Sequence, residues 1–205
     1  EGNTLLRQHQ YAYVGTSIGR KIEQNKIANQ SATLKQIRNK SEYLKDGIEM
    51  LDKLMEALKT ETDYLTIMGI EGNAAKIYFP RMYENVKWTG RKPRIKNDYI
   101  NVTLDIGYTM LFNIVDAILQ VYGFDTYYGV FHRCFYMRKS LVCDIMEPMR
   151  PIVDYAIRRA INLGQCKNDD FEEYNNQWHL KYTRSSTYVQ FLMSAILEYK
   201  DDIFI

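Results

Sequence analysis

Apolar residues recur every three to four positions through most of the chain, the period of a helix that buries one face. From residue 4 to 38, Tyr11, Val14, Ile18 and Ile22 keep that spacing with no proline between them, which predicts one long opening helix. Gly15 and Gly19 form a G-x-x-x-G step inside it, a pattern of close helix packing in a segment too polar for a membrane. Ser41 precedes Leu44, Ile48, Leu51, Met55 and Leu58, an N-cap followed by a clean amphipathic stripe that belongs to the core. Residues 62 to 80 predict a third helical region, split near Met68-Gly69-Ile70. That split puts Glu71 in the first turn of the renewed helix, where the helix dipole favours a carboxylate.

Gly90 and Pro93 mark residues 81 to 97 as a loop. Asp98 then caps the strongest helix, 98 to 122, lined by Leu104, Tyr108, Leu111, Val115, Ile118 and Leu119 and ended by Gly123. A helix starts again near Lys139 or Ser140 and meets Pro148 and Pro151, which fit only a first turn. Residues 152 to 163 continue as helix, burying Val153, Ala156, Ile157 and Ala160. Residues 164 to 181 read as irregular chain or a short hairpin, and a last helix spans 184 to 200 with Tyr188, Leu192, Ala195 and Ile196 inward. No strand–helix alternation, internal repeat, G-x-G-x-x-G or P-loop is present. The fold class is therefore all-α, a single multi-helix domain over 1–205 with at most one small β-hairpin.

Composition narrows the classes. With 205 residues, 46% of them hydrophobic, the chain can bury a real core and is not disordered. Net charge is +2, so a nucleic-acid surface has to come from local clustering. Uninterrupted apolar runs are far shorter than the ~20 residues that cross a bilayer, and no secretory segment precedes the first helix. The three cysteines, Cys134, Cys143 and Cys166, lack C-x-x-C spacing, which argues against zinc and for a reducing cytoplasmic location. The chain begins at Glu1 without an initiator methionine, as a piece of something longer would.

Candidate chemistry concentrates in Gly123–Pro151. His132 precedes a short helix carrying Asp144 and Glu147, three apart and so on one face. An imidazole with carboxylates suits a divalent cation such as Mn²⁺ or Mg²⁺. Arg133, Arg138, Lys139 and Arg150 surround them, which suggests a phosphate-bearing substrate. A second basic cluster, Arg81, Lys87, Arg91, Lys92, Arg94 and Lys96 with Trp88, either grips a phosphate backbone and stacks on a base or is a solvated, mobile loop.

Five short patterns arrive in order: Lys26-Ile27-Ala28-Asn29-Gln30; Glu71 to Phe79 (EGNAAKIYF); Asp98-Tyr99-Ile100-Asn101 with Leu104 and Gly107-Tyr108; Gly123-Phe124-Asp125 with Gly129 and His132; and Ser140 to Pro151 (SLVCDIMEPMRP). Together, over roughly residues 5 to 200, they resemble the catalytic subunit of the CRISPR spacer integrase. The resemblance implies an all-helical catalytic domain that binds one divalent metal through Glu71, His132 and Glu147, with Asp144 as an auxiliary acid. It also implies Mg²⁺ or Mn²⁺ as cofactor, and transesterification in which a DNA 3′-hydroxyl attacks a phosphodiester at the edge of a CRISPR repeat, with nuclease activity when water attacks. Arg91, Lys92, Arg94, Lys96, Arg138, Lys139 and Arg150 would follow double-stranded DNA, Arg150 alternatively anchoring its helix through Glu147 or Asp154. A homodimer or higher oligomer and the small adaptation partner subunit are the expected partners. The family's usual N-terminal β-rich domain is not in this sequence. Transposon-encoded integrases share the helical core, and a non-catalytic DNA scaffold is a further alternative.

Overall fold

The computed structural model describes residues 2–12, 15–93, 95–132 and 136–204. The opening segment is two helices, α1 (Gly2–Ala12) and α2 (Thr16–Lys35), not one. Gly15 is extended, with φ 174°, so the chain leaves helical geometry just before α2. Val14 lies outside the described residues, and Tyr11 is exposed. α1 is held by polar contacts: the Gln10 amide donates to the carbonyls of Asp125 and Tyr128, both at 2.8 Å. The close-packing reading of the glycine pair holds for Gly19 alone, against whose position Phe131 is pressed with no room for a Cβ.

α3 (Glu42–Leu58) starts as expected, the Ser41 hydroxyl accepting from the Leu44 N–H at 3.0 Å. α4 (Tyr64–Met82) is continuous, capped by Asp63, and the split expected at Gly69 does not occur. A glycine inside a helix costs about 1 kcal/mol; the fully buried Ile67, Ala74, Tyr78 and Met82 on this helix outweigh that. Glu71 accordingly sits in mid-helix and not in a first turn.

α5 (Tyr99–Val121) is the central helix, capped by Asp98 and closed by Gly123 with φ +87°. By length and composition it could cross a membrane, yet it packs against the later helices and the hairpin as a core helix. After it come α6 (Ser140–Met146), a 3-10 turn at Glu147–Met149 and α7 (Arg150–Asn162). Pro148 and Pro151 occupy first turns, where a missing N–H leaves nothing unpaired. β1 (Phe171–Tyr174) and β2 (Gln177–Leu180) form the antiparallel hairpin, turned by Asn175 and Asn176 at positive φ. α8 (Ser185–Glu198) and α9 (Lys200–Phe204) close the chain. The all-α class with one hairpin is thus the observed one.

The helices form two groups, α2–α3–α4 and α5–α6–α7–α8, with α2 lying across the Glu147–Met149 turn and α7 to join them. Two members of the basic cluster turn out to be structural. Arg81 is still helical and buried, donates to the carbonyls of Tyr43 and Ile77, and lies 4.0 Å over the Tyr43 ring. Trp88 is half-buried, packs edge-on to Tyr83 and Phe79 and donates to Asp98, so it is held in the fold and does not stand free in the loop. Arg81→Ala is expected to cost about 2 kcal/mol through its lost charged hydrogen bonds; denaturant unfolding measures this, and an unchanged midpoint would return Arg81 to the surface cluster.

Candidate active site

The α2 face that buries Ile22, Ile27 and Leu34 also carries Lys26, only 8% exposed. Its ammonium lies 2.6 Å from Glu71 Oε1 on α4 and 2.7 Å from Glu147 Oε2 on the 3-10 turn. Glu23, one turn back on α2, holds Oε2 3.6 Å away. Arg150 Nε donates to the other Glu147 oxygen at 2.9 Å. Asn29 adds a hydrogen bond to the Pro148 carbonyl at 2.7 Å, so α2 grips the turn at two points.

Burial and neighbouring charge set the titration of Glu147, Lys26 and Glu23. Burial by itself pushes the Glu147 carboxyl up, but Lys26 and Arg150 outweigh it and hold the carboxyl below its ordinary range. Burial likewise works against a charged Lys26, and Glu147, Glu23 and Glu71 more than reverse that, keeping the ammonium protonated. Desolvation, helped by the neighbouring Glu147 and Glu71 carboxylates, outweighs the pull of Lys26 on Glu23 and raises it to about 7.

His132 follows a loop that Asp144 holds from below. The fully buried Asp144 carboxylate accepts the backbone N–H groups of Val130 at 2.6 Å, Phe131 at 3.0 Å and His132 at 2.9 Å. It also meets His132 Nδ1 at 2.5 Å. A Cβ at Gly129 would stand 2.8 Å from Asp144 Oδ2 and 2.7 Å from the His132 carbonyl oxygen, so only glycine lets the loop close over the carboxylate. With Nδ1–H donated to Asp144, Nε2 keeps its lone pair for a ligand. The imidazole is near enough for Glu147 and Glu23 to respond to its charge. Asp144 and Glu147 therefore have different tasks despite their helical spacing: Asp144 fixes the loop, Glu147 faces the cleft.

That cleft, of about 680 Å³, runs from Lys26, Glu71 and Glu147 past Tyr108 to Arg91, Lys96 and Arg150. Its floor is Asp154, 1% exposed, which accepts from the Tyr108 hydroxyl at 2.5 Å. Arg150 lies 4.5 Å and Arg91 5.5 Å over the Tyr108 ring. Buried Asn101 staples the loop to α5, accepting from Arg91 and the Lys92 N–H and donating to the Gly90 carbonyl. The loop is therefore tied to α5 at Gly90, Arg91 and Lys92, and Arg91 is further paired with Asp105 at 2.6 Å. Lys139 is paired with Asp116 at 2.6 Å, and Arg138 donates to Ser140. Arg150 takes the anchoring partner expected of it, Glu147, while still lining the cleft. Arg94 and Arg133 lie outside the described residues.

Among the described residues no three His, Cys, Asp or Glu side chains stand together as a ready-made metal cage. What the structure brings together is two expected ligands, Glu71 and Glu147, around an ammonium, with His132 nearby. An ammonium gripped by two converging carboxylates is itself a stand-in cation, and two hard oxygens with a neutral imidazole are a fitting donor set for Mg²⁺ or Mn²⁺.

The family profile described as "CRISPR associated protein Cas1" matches residues 1–193. The chain belongs to the Cas1 family. It is 32% identical over 199 residues to "CRISPR-associated endonuclease Cas1 1" of Thermodesulfovibrio yellowstonii, covering 88% of this chain and 62% of that relative. A solved chain from the "Partial Cas6-RT-Cas1--Cas2 complex" superposes with a TM-score of 0.85 at 29% identity, covering 92% of this chain and 61% of that one. A chain of "Casposase bound to integration product" superposes with a TM-score of 0.75 at 24% identity, over 92% of this chain and 56% of that one, and speaks for the fold alone. This Cas1-family chain therefore spans less than two thirds of the length of each of these three proteins.

Lys26 stands in one of the short sequence patterns and Tyr108 on the apolar side of α5, neither with a task legible there, and Glu23 carries no sequence signal of its own beyond its charge. The available signal was Glu23–Lys26, an opposite-charge pair three apart on the apolar side of α2.

Desolvation raises Asp154 to about 6, against the pull of Tyr108 and Arg150. Its carboxyl binds a proton more readily in the folded chain, so the stability it contributes is full below the unfolded value near 3.8 and is lost as pH rises through about 6. The loss is on the order of 3 kcal/mol. Asp154→Asn is expected to remove that share of the decline in unfolding free energy between about pH 3 and 7. Parallel pH profiles for the two proteins would refute the assignment.

Proposed function

We propose that this Cas1-family chain is the helical catalytic part of a divalent-metal-dependent DNA integrase with endonuclease activity, which joins the 3′-hydroxyl of captured DNA to a CRISPR repeat by transesterification. The observation that carries it is the convergence of Glu71 and Glu147, from distant parts of the chain, on one cation position at the head of a cation-lined cleft. In this reading Glu71 and Glu147 supply hard oxygen ligands to Mg²⁺ or Mn²⁺ and His132 supplies Nε2. When bound, such an ion supplies Lewis acidity to a phosphate and its attacking and leaving oxygens.

The chain's own residues do the rest. Asp144 holds the His132 tautomer and aims the ring. Arg150 and Arg91, stacked over Tyr108 and held by Glu147 and Asp105, present fixed positive charge to a phosphate, with Lys96 beside them. Lys92, Arg94, Arg138 and Lys139 extend this contact along double-stranded DNA. Phosphate contacts of this kind position the duplex without reading its sequence. The relatives' printed names, an endonuclease and a complex containing Cas1 and Cas2, support DNA chemistry and a partner subunit. Joining two ends further requires two sites working together in an oligomer. The casposase-like fold keeps a transposon-encoded integrase as the second reading, which the target DNA separates from the first.

A strand-transfer assay with labelled DNA ends and a repeat-bearing plasmid, in Mn²⁺ and in Mg²⁺, tests this. His132→Ala is expected to abolish joining with an unchanged thermal midpoint, and Asp144→Asn to reduce it about 10–100-fold by misaiming the ring. Full joining by folded His132→Ala would overturn the proposal; joining at targets without a repeat would favour the transposon reading.

A further inference from the structure

The position of Lys26 raises a question the metal reading leaves open. A divalent ion between Glu71 and Glu147 and an ammonium already there cannot both stay, because two cations a few ångströms apart in a partly dry site repel strongly. The ammonium then needs another partner, since where it stands, 8% exposed, a charge without one is costly.

Glu23 is the partner left unused. It is 1% exposed, and its Oε2 has no hydrogen-bond partner. That oxygen lies 3.6 Å from Lys26 Nζ, too far for a hydrogen bond, while Glu71 and Glu147 hold the ammonium at 2.6 and 2.7 Å. A buried carboxylate oxygen without a donor is costly, and a permanent ion pair three apart on one helix would have closed. Lysine has three N–H donors on a flexible stem, so torsions near its end are enough to close the gap without moving α2.

We propose that Lys26 is a positioning residue that keeps Glu71 and Glu147 converged while no metal is bound, and that Glu23 receives its ammonium when a divalent cation takes that place. This rests on the metal-dependent reading of the site. The resting site is then a closed set of opposite charges, so Glu71 and Glu147 do not spring apart. Binding exchanges one cation for another with little movement of the backbone. Glu23 sets how readily the exchange occurs without touching the incoming ion.

Calorimetric titration of Mn²⁺ into the protein, with no DNA, tests this through a double-mutant cycle. Wild type is expected to bind Mn²⁺ at the site, and Glu23→Gln to weaken that binding about tenfold. Lys26→Met is expected to bind more tightly than wild type, because the competing ammonium is gone, and to melt earlier than wild type without Mn²⁺. The decisive comparison is Glu23→Gln made in the Lys26→Met background, where the change should fall below about twofold. If Lys26→Met does not fold, Lys26→Gln, with a neutral polar end, replaces it. An equal loss in both backgrounds would mean that Glu23 is a ligand or a distant charge, and no loss in either would mean that it takes no part; each overturns the proposal. Failure of the underlying reading looks different: wild type then shows no Mn²⁺ binding that Glu147→Gln removes, and the inference falls with it.

Discussion

One buried ammonium joins three parts of the chain that have no sequence proximity. Lys26 on α2 meets Glu71 on α4 and Glu147 on the turn after α6, in surroundings where an unpaired charge would cost several kcal/mol. Each of the two carboxylates is therefore held where the other needs it. Arg150 completes the set by taking the second oxygen of Glu147. The cleft exists because these groups are drawn to one point while α5 and α7 keep Tyr108 and Asp154 beneath them.

A second constraint runs through Asp144. A single carboxylate closes the loop 129–132 from beneath, through three backbone N–H groups and the His132 ring. The same stretch of chain is tied at its start by Gln10 from α1, so the loop is braced at both ends. That division of labour explains why two acids three residues apart serve separate ends: one is spent entirely on geometry, the other is left facing the cleft.

Where a local rule decides the outcome, the fold was legible. Ser41, Asp98 and Gly123 mark helix ends whose partners lie within a few residues, and the two asparagines at 175 and 176 accept the left-handed backbone a tight hairpin needs. Where tertiary packing competes with a local rule, the local rule failed. Gly69 suggested a break that the buried face of α4 overrides, while the even spacing of Tyr11 to Ile22 concealed the extended step at Gly15. Trp88 and Arg81 looked like surface chemistry because the partners that bury them, Tyr83, Phe79 and Tyr43, carry no pairing signal in a linear sequence. Of the proposed ligands, His132 and Glu147 were candidates by residue type, and Glu71 joined them only through family resemblance, since nothing in the spacing brings Glu71 to Glu147. Lys26 stayed without a role for the same reason.

The central claim is that the point now held by the Lys26 ammonium is the position of the catalytic cation. Anomalous X-ray scattering at the manganese edge, from crystals grown in Mn²⁺, tests it most directly. One strong peak bonded to Glu71, Glu147 and His132 Nε2, with the ammonium withdrawn, is the predicted result. Lys26 still bridging the two carboxylates, with manganese absent or bound elsewhere at saturating concentration, would contradict it.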